Sequence, residues 1–266
     1  MTSHSTETAA ALEAIERHPG LLAYLRHGFA GVEGWCEPRT LEVLAELSEL
    51  QDDAGTSGGS AEIGVYHGKL LIALHLLRTP GTRTLAVDLF EHQELNLDRS
   101  GSGDSSHVRR NLEANCPDPD DVEMMARDSL DLGDDDVLAI VQRHGRFRWF
   151  SVDGGHTVDH AVNDLRLAER LTTAGGIVVV DDYYNQDWPG VHEGFARRYI
   201  LDSPRTVPFL VGFAKVYLTT LGHHKRYFRA IGERLQTAGY RVKVVRMYGH
   251  QVVSVGEAPT EPRASS

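Results

Sequence analysis

Residues 147–156 read FRWFSVDGGH, and residues 175–184 read GGIVVVDDYY. Each is an apolar run of strand length that ends in acid, and the stretch between them carries Val158, Ala161, Val162, Leu165 and Ala168 at helical spacing. Strand, helix and strand in this order predict a parallel pair joined by a crossover helix, and open α/β sheets place their chemistry at the carboxyl ends of such strands. The two loops are therefore expected to gather Asp153, His156, Asp181 and Asp182 around one crevice. Three carboxylates and an imidazole suit a hard metal ion with a base beside it.

The same alternation extends outward from this pair. Upstream, residues 60–65, 84–90 and 122–126 read as strands, with helices opening at Gly68 and covering 105–115 and 134–144. Downstream of Pro204 come the apolar segments PFLVGF and AKVYLTT, a helix over 224–237, and the segments YRVKVVRMY and QVVSVG. The expected class is α/β, a mostly parallel sheet with helices on both faces. Residues 10–51 have helical periodicity broken at His18-Pro19-Gly20, and the turn-rich DDAGTSGGS at 52–60 links them to the first strand. The expected organisation is a disordered start and helical cap over 1–55, a core over 56–256 and a flexible tail over 257–266.

A formal charge of -11 on 266 residues argues against a nucleic-acid groove or an anionic membrane surface and leaves small molecules as the expected partners. Cys36 and Cys116 lie far apart without zinc-type spacing, so neither a disulfide framework nor a thiolate metal site is expected. No apolar run approaches the roughly 18 residues needed to span a bilayer, and the first residues lack the pattern of a signal peptide. A cytoplasmic protein is the expectation.

The first strand is followed by Glu62-Ile63-Gly64-Val65-Tyr66-His67-Gly68. Gly64 lets the backbone approach a ligand and Gly68 opens the helix, but the third glycine of the dinucleotide fingerprint is missing. Asp88 ends the second strand, where a carboxylate can accept both hydroxyls of an adenosine ribose. Asp128-Ser129 ends the third, within reach of an adenine amino group. This order of motifs resembles the class I S-adenosylmethionine-dependent methyltransferases, over roughly residues 60–256. VDGGH, the helix with NDLRLAERL and then GGIVVVDDYYNQDWPGV are similar to bacterial small-molecule O-methyltransferases of the macrocin and mycinamicin sugar type, whose site geometry is related to that of the catechol O-methyltransferases.

The resemblance implies a Rossmann-like sheet of about seven strands and S-adenosylmethionine as cofactor. Glu62, Gly64 and Gly68 would line its methionine end, Asp88 its ribose, and Asp128 and Ser129 its adenine. It also implies Mg2+, or Mn2+, on Asp153, Asp181 and Asp182, with His156 as the base. A dimer or larger assembly through the helical cap is a further implication.

The chemistry asks for such groups in any case. A phenol with a pKa of about 10 is mostly protonated at neutral pH, and coordination to a divalent ion brings a hydroxyl toward the range of a histidine near 6.5. The expected reaction is methylation of a hydroxyl on a small acceptor, a sugar-bearing natural product or a catechol-like phenol. Tyr183, Tyr184 and Trp188 are candidates for the acceptor wall, although aromatic residues also fill cores. Phe90 and His92 follow Asp88 and are candidates for the adenosine border. Asp182 has a second reading as a turn cap, and His156 as a backbone partner. The competing functions are a metal-independent N- or C-methyltransferase, an NAD-linked oxidoreductase or epimerase, and a non-catalytic cofactor-binding protein. The oxidoreductase reading asks for a third glycine and a Tyr-x-x-x-Lys pair, and none of the nine tyrosines has a lysine four residues on.

Overall fold

Nine strands form one sheet: β1 (Gly59–Ile63), β2 (Thr84–Asp88), β3 (Val122–Ala126), β4 (Phe147–Val152), β5 (Thr172–Val180), β6 (Thr206–Gly212), β7 (Lys215–Thr220), β8 (Arg241–Met247) and β9 (His250–Gly256). This computed structural model describes residues 13–97 and 99–257, so residues 1–12 of the expected disordered start and 258–266 of the expected tail lie outside the described residues. The strands lie in the order β3-β2-β1-β4-β5-β7-β6-β9-β8, with β7 and β8 antiparallel to their neighbours and the others parallel. The expected count of about seven is corrected to nine, because β8 and β9 join as a hairpin beyond β6 and extend the sheet.

After two short helical turns in the cap, Glu13–Glu16 and Pro19–Ala23, the longer helices are α1 (Pro38–Asp53), α2 (Lys69–Leu76), α3 (Ser105–Asn115), α4 (Asp134–His144), α5 (Val158–Leu171), α6 (Pro189–Leu201) and α7 (Leu221–Thr237). Every residue of β4 is buried, as befits a parallel strand covered on both faces. On one face Leu44 and Leu47 of α1, Leu71 of α2, Leu112 of α3 and Ile231 of α7 share a single hydrophobic cluster. On the other, Val137 of α4, Leu165 and Ala168 of α5 and Phe195 of α6 share a second. The cap helix α1 thus packs into the same core as the sheet-covering helices.

The packed face of α5 departs from its sequence pattern. Ala161, Leu165 and Ala168 are buried and Val158 and Val162 half-buried, but His160 and Asp164 are buried as well. Both polar side chains lie in the first half of the helix, next to the loops at the strand ends, where polar groups find partners. The outermost strand, β8, is largely exposed and carries Arg241, Lys243 and Arg246, charges that discourage further strand pairing. Among the described residues no helix is long and apolar enough to cross a membrane.

The strand order reverses between β1 and β4, which are adjacent while their following strands lead in opposite directions. Ligands of open α/β sheets bind at the carboxyl ends of strands beside such a switch point. Here those ends carry Gly64 and Asp153.

Candidate active site

A cavity of about 790 Å³ opens at this point, within the size range of ligand pockets. Its floor is built from the turns after β1, β2, β3, β4 and β5. Gly64 is left-handed (φ 79°), and a Cβ there would lie 1.7 Å from the Asp153 carbonyl oxygen. The first and fourth loops can touch only because position 64 has no side chain.

Of the residues expected at a cofactor, Gly64, Asp88, Asp128, Ser129 and Asp153 line the cavity. Asp88 Oδ2 accepts hydrogen bonds from the backbone N–H groups of Val65 (2.6 Å) and Tyr66 (3.0 Å), and Oδ1 from that of Phe90 (2.7 Å), so its carboxylate holds the first turn in shape. Asp128 accepts from the Leu130 N–H at 2.9 Å, and its Oδ1 lies 3.2 Å from His160 Nε2. Gly68 caps α2 away from the lining. Glu62 is also off the lining: it is 2 % exposed, Oε2 finds no hydrogen-bond partner among the described residues, and burial pushes its carboxyl up to about 8.

Asp153, His156 and Asp182 converge from the loops after β4 and β5, with one ligand atom from each lying within 4.8 Å of the others. The Asp182 carboxylate accepts from His156 Nε2 at 3.0 Å and from the Asn185 amide at 2.8 Å. Burial opposes its ionisation, but these hydrogen bonds prevail and hold Asp182 below the usual carboxylate range. The His156 ring stacks on Trp188 at 4.3 Å and 15°. Asp182 is itself left-handed (φ 57°), in a turn closed by Asn185 N–H to its backbone carbonyl at 3.0 Å, and it lines the cavity.

Asp181 also lines the cavity but is committed otherwise. Its Oδ2 is paired with the buried Lys215 ammonium, and its Oδ1 accepts the Asp182 N–H at 2.9 Å. Burial pulls the Lys215 ammonium down, yet the carboxylates of Asp181 and Asp153 outweigh it and hold Lys215 above its ordinary range. Asp153 is pushed well above the carboxylate range, by burial first and then by the charge of Asp181. With all three carboxylates ionised and one ammonium among them, the cluster would carry two uncompensated negative charges, which a divalent cation balances while drawing the proton off Asp153. Asp153, Asp182 and His156 thus fit a small divalent ion by proximity and by charge.

Trp188 lines the cavity as a wall candidate, whereas Tyr183 and Tyr184 do not. Tyr183 is buried against Phe195 (4.9 Å, 72°) with its hydroxyl 3.0 Å from that of Tyr248, and Tyr184 is exposed on the surface. Phe90 is buried in the core and His92 is exposed, neither on the lining. Lys215, His160 and Trp35 are lining residues that sequence reasoning missed. Lys215 opens an ordinary apolar segment, His160 sits one turn into a helix, and Trp35 lies in the cap, so none carries a local pattern that marks it.

Residues 61–183 match the family model described as a methyltransferase domain. No curated protein sequence matches the chain. Among solved structures, the O-methyltransferase NovP is similar at 17% identity over 68% of this chain and 79% of that one, with a TM-score of 0.53. CalS11, a TDP-rhamnose 3'-O-methyltransferase of calicheamicin biosynthesis, is similar at 19% identity over 78% of this chain and 93% of that one, with a TM-score of 0.52. Likeness at these identities concerns the fold, and it agrees with the matched domain, the strand order and the cavity at the switch point. Residues 61–183 thus carry a methyltransferase domain, and the chain shares the fold of solved O-methyltransferases.

Proposed function

We propose that the chain is an O-methyltransferase that moves the methyl group of S-adenosylmethionine to a hydroxyl of a small molecule, with Mg2+ held by Asp153 and Asp182. The observation that carries this reading is the convergence of Asp153, His156 and Asp182 beside Gly64 and Asp128 in one cavity. A bound divalent ion supplies Lewis-acid polarisation, which lowers the pKa of a hydroxyl that reaches it. His156 takes the hydroxyl proton. Asp182, 3.0 Å from Nε2, orients the ring and stabilises the imidazolium that forms. S-adenosylmethionine would supply the methyl group to the freed oxygen, its carbon–sulfur bond breaking to leave S-adenosylhomocysteine. Gly64, Asp128 and Ser129, on the lining, would hold this cofactor in place, and positioning of reactants supplies about 7–11 kcal/mol.

The test is a calorimetric titration of MgCl2 into the protein saturated with S-adenosylhomocysteine. One saturable site is expected, lost in Asp182→Ala and kept in His156→Ala, together with methyl transfer that EDTA abolishes. Loss of the site in His156→Ala would make the imidazole a ligand and not the base. A second reading is favoured by Lys215, whose ammonium already stands inside the acidic cluster and supplies positive charge without an ion. It describes a metal-independent transferase, whose turnover EDTA leaves intact.

A further inference from the structure

Trp35 is 75 % exposed and Leu97 73 %, yet both belong to the cavity lining, as does the half-exposed Leu95. Large apolar side chains left in water around a concave polar floor mark a binding mouth. Trp35 is also part of a built platform. Its ring lies 5.1 Å from that of Tyr66, which stacks on His67 at 3.9 Å and 9°. Glu33 fixes the column by accepting from the Tyr66 hydroxyl at 2.8 Å, and Tyr66 holds a left-handed backbone (φ 51°) to stay in it. Cys36, the residue after Trp35, lines the same cavity as Lys215 and Asp181, so the platform and the acidic cluster share one cavity.

The charge of the cavity narrows the ligand further. Carboxylates outnumber cations on the lining, where Arg127 and Lys215 are the only arginine and lysine side chains among the described residues. Arg127 is bound to Asp136 and the Asp131 carbonyl, and Lys215 to Asp181. Neither is left to meet a diphosphate, and the neighbouring carboxylates repel one.

We infer that the acceptor is an uncharged molecule with the reacting hydroxyl at one end and a flat apolar group at the other, the flat group stacking on Trp35. A nucleotide-activated sugar is thereby disfavoured. The inference rests on the methyl-transfer reading of this cavity proposed above. Its test is equilibrium binding of two probes that share one sugar, 4-methylumbelliferyl rhamnoside and TDP-rhamnose, to the whole chain saturated with S-adenosylhomocysteine. The neutral aryl probe is expected to bind about 10-fold or more tighter than the diphosphate. Trp35→Ala weakens the aryl probe about 3- to 10-fold, Trp35→Phe restores most of the loss, and both variants keep the affinity for S-adenosylhomocysteine. Tighter binding of TDP-rhamnose, no binding of the aryl probe, or an unchanged affinity in Trp35→Ala overturns the inference. So does a Trp35→Ala variant that loses S-adenosylhomocysteine instead, since the ring would then cover the cofactor. A native chain that does not bind S-adenosylhomocysteine fails one step earlier, at the methyl-transfer reading itself.

Discussion

Glu62 shows what burial does to a single acid next to the site. It lies at the end of β1, behind Gly64, and its carboxyl is raised to about 8 from its usual 4.5 because it is taken out of water. The folded chain therefore keeps a proton that the unfolded chain releases from about pH 4.5 upward. Where the folded state binds more protons, stability falls as pH rises, so Glu62 erodes stability between about pH 4.5 and 8. Glu62→Gln removes the titration and keeps the shape. Relative to the native chain, the variant should gain on the order of 3 kcal/mol between pH 5 and pH 8. Urea unfolding at both pH values measures this gain, and parallel pH curves for the two proteins would mean that Glu62 is ionised in the folded state. The neighbouring Lys215–Asp181 pair belongs to the same scale: two groups far apart in sequence are made partners by strand pairing, as β5 lies beside β7 with Val180 opposite Val216.

Two hairpins of the sheet use the same turn and differ in what it costs. β8 and β9 are joined through Tyr248 (φ 46°) and Gly249 (φ 84°), and β6 and β7 through Phe213 (φ 51°) and Ala214 (φ 64°). Both have two left-handed central residues, as right-twisted hairpins require, but only the first has a glycine to take up the strain. The glycine-free turn lines the cavity and leads directly into Lys215, an instance of strain kept where a site needs its shape. Ala214→Gly should raise unfolding stability by about 0.5–1 kcal/mol with unchanged affinity for S-adenosylhomocysteine. Denaturant titration reads this, and a loss of stability would show that the turn is unstrained. The same elements show how far the sequence was legible. The acid-tipped strands announced themselves because apolar runs, glycines and acids are local signals, and Asp153, His156 and Asp182 do meet. The β8–β9 hairpin was visible as two segments, but its place beside β6 depends on pairing that no local pattern encodes. Trp35 and Lys215 were illegible for the same reason: each reaches the cavity through the packing of its element, and a lone tryptophan or lysine in sequence says nothing of what it faces.

At the scale of the whole molecule, a formal charge of -11 and a lining rich in carboxylates set the field in which both ligands bind. S-adenosylmethionine carries a sulfonium cation, and S-adenosylhomocysteine is the same molecule without that charge or the methyl. An anionic cavity therefore holds the substrate form more tightly than the product form, and a low-dielectric wall concentrates the effect. Salt weakens such a field, since the screening length falls from about 10 Å at 0.1 M to about 3 Å at 1 M ionic strength. Raising NaCl from about 0.02 to 0.5 M should lower the preference for S-adenosylmethionine by about 3-fold while changing the affinity for S-adenosylhomocysteine little. Fluorescence or calorimetric titration of both ligands at the two salt concentrations measures the ratio. A ratio that does not move would mean that the lining is internally neutral, with Lys215 and a protonated Asp153 cancelling the carboxylates and the sulfonium chosen by fit alone. Saturating MgCl2 at low salt supplies the discriminating control. An ion seated on Asp153 and Asp182 cancels the same charges, so it should shrink the preference by as much as added salt does, and at far lower ionic strength.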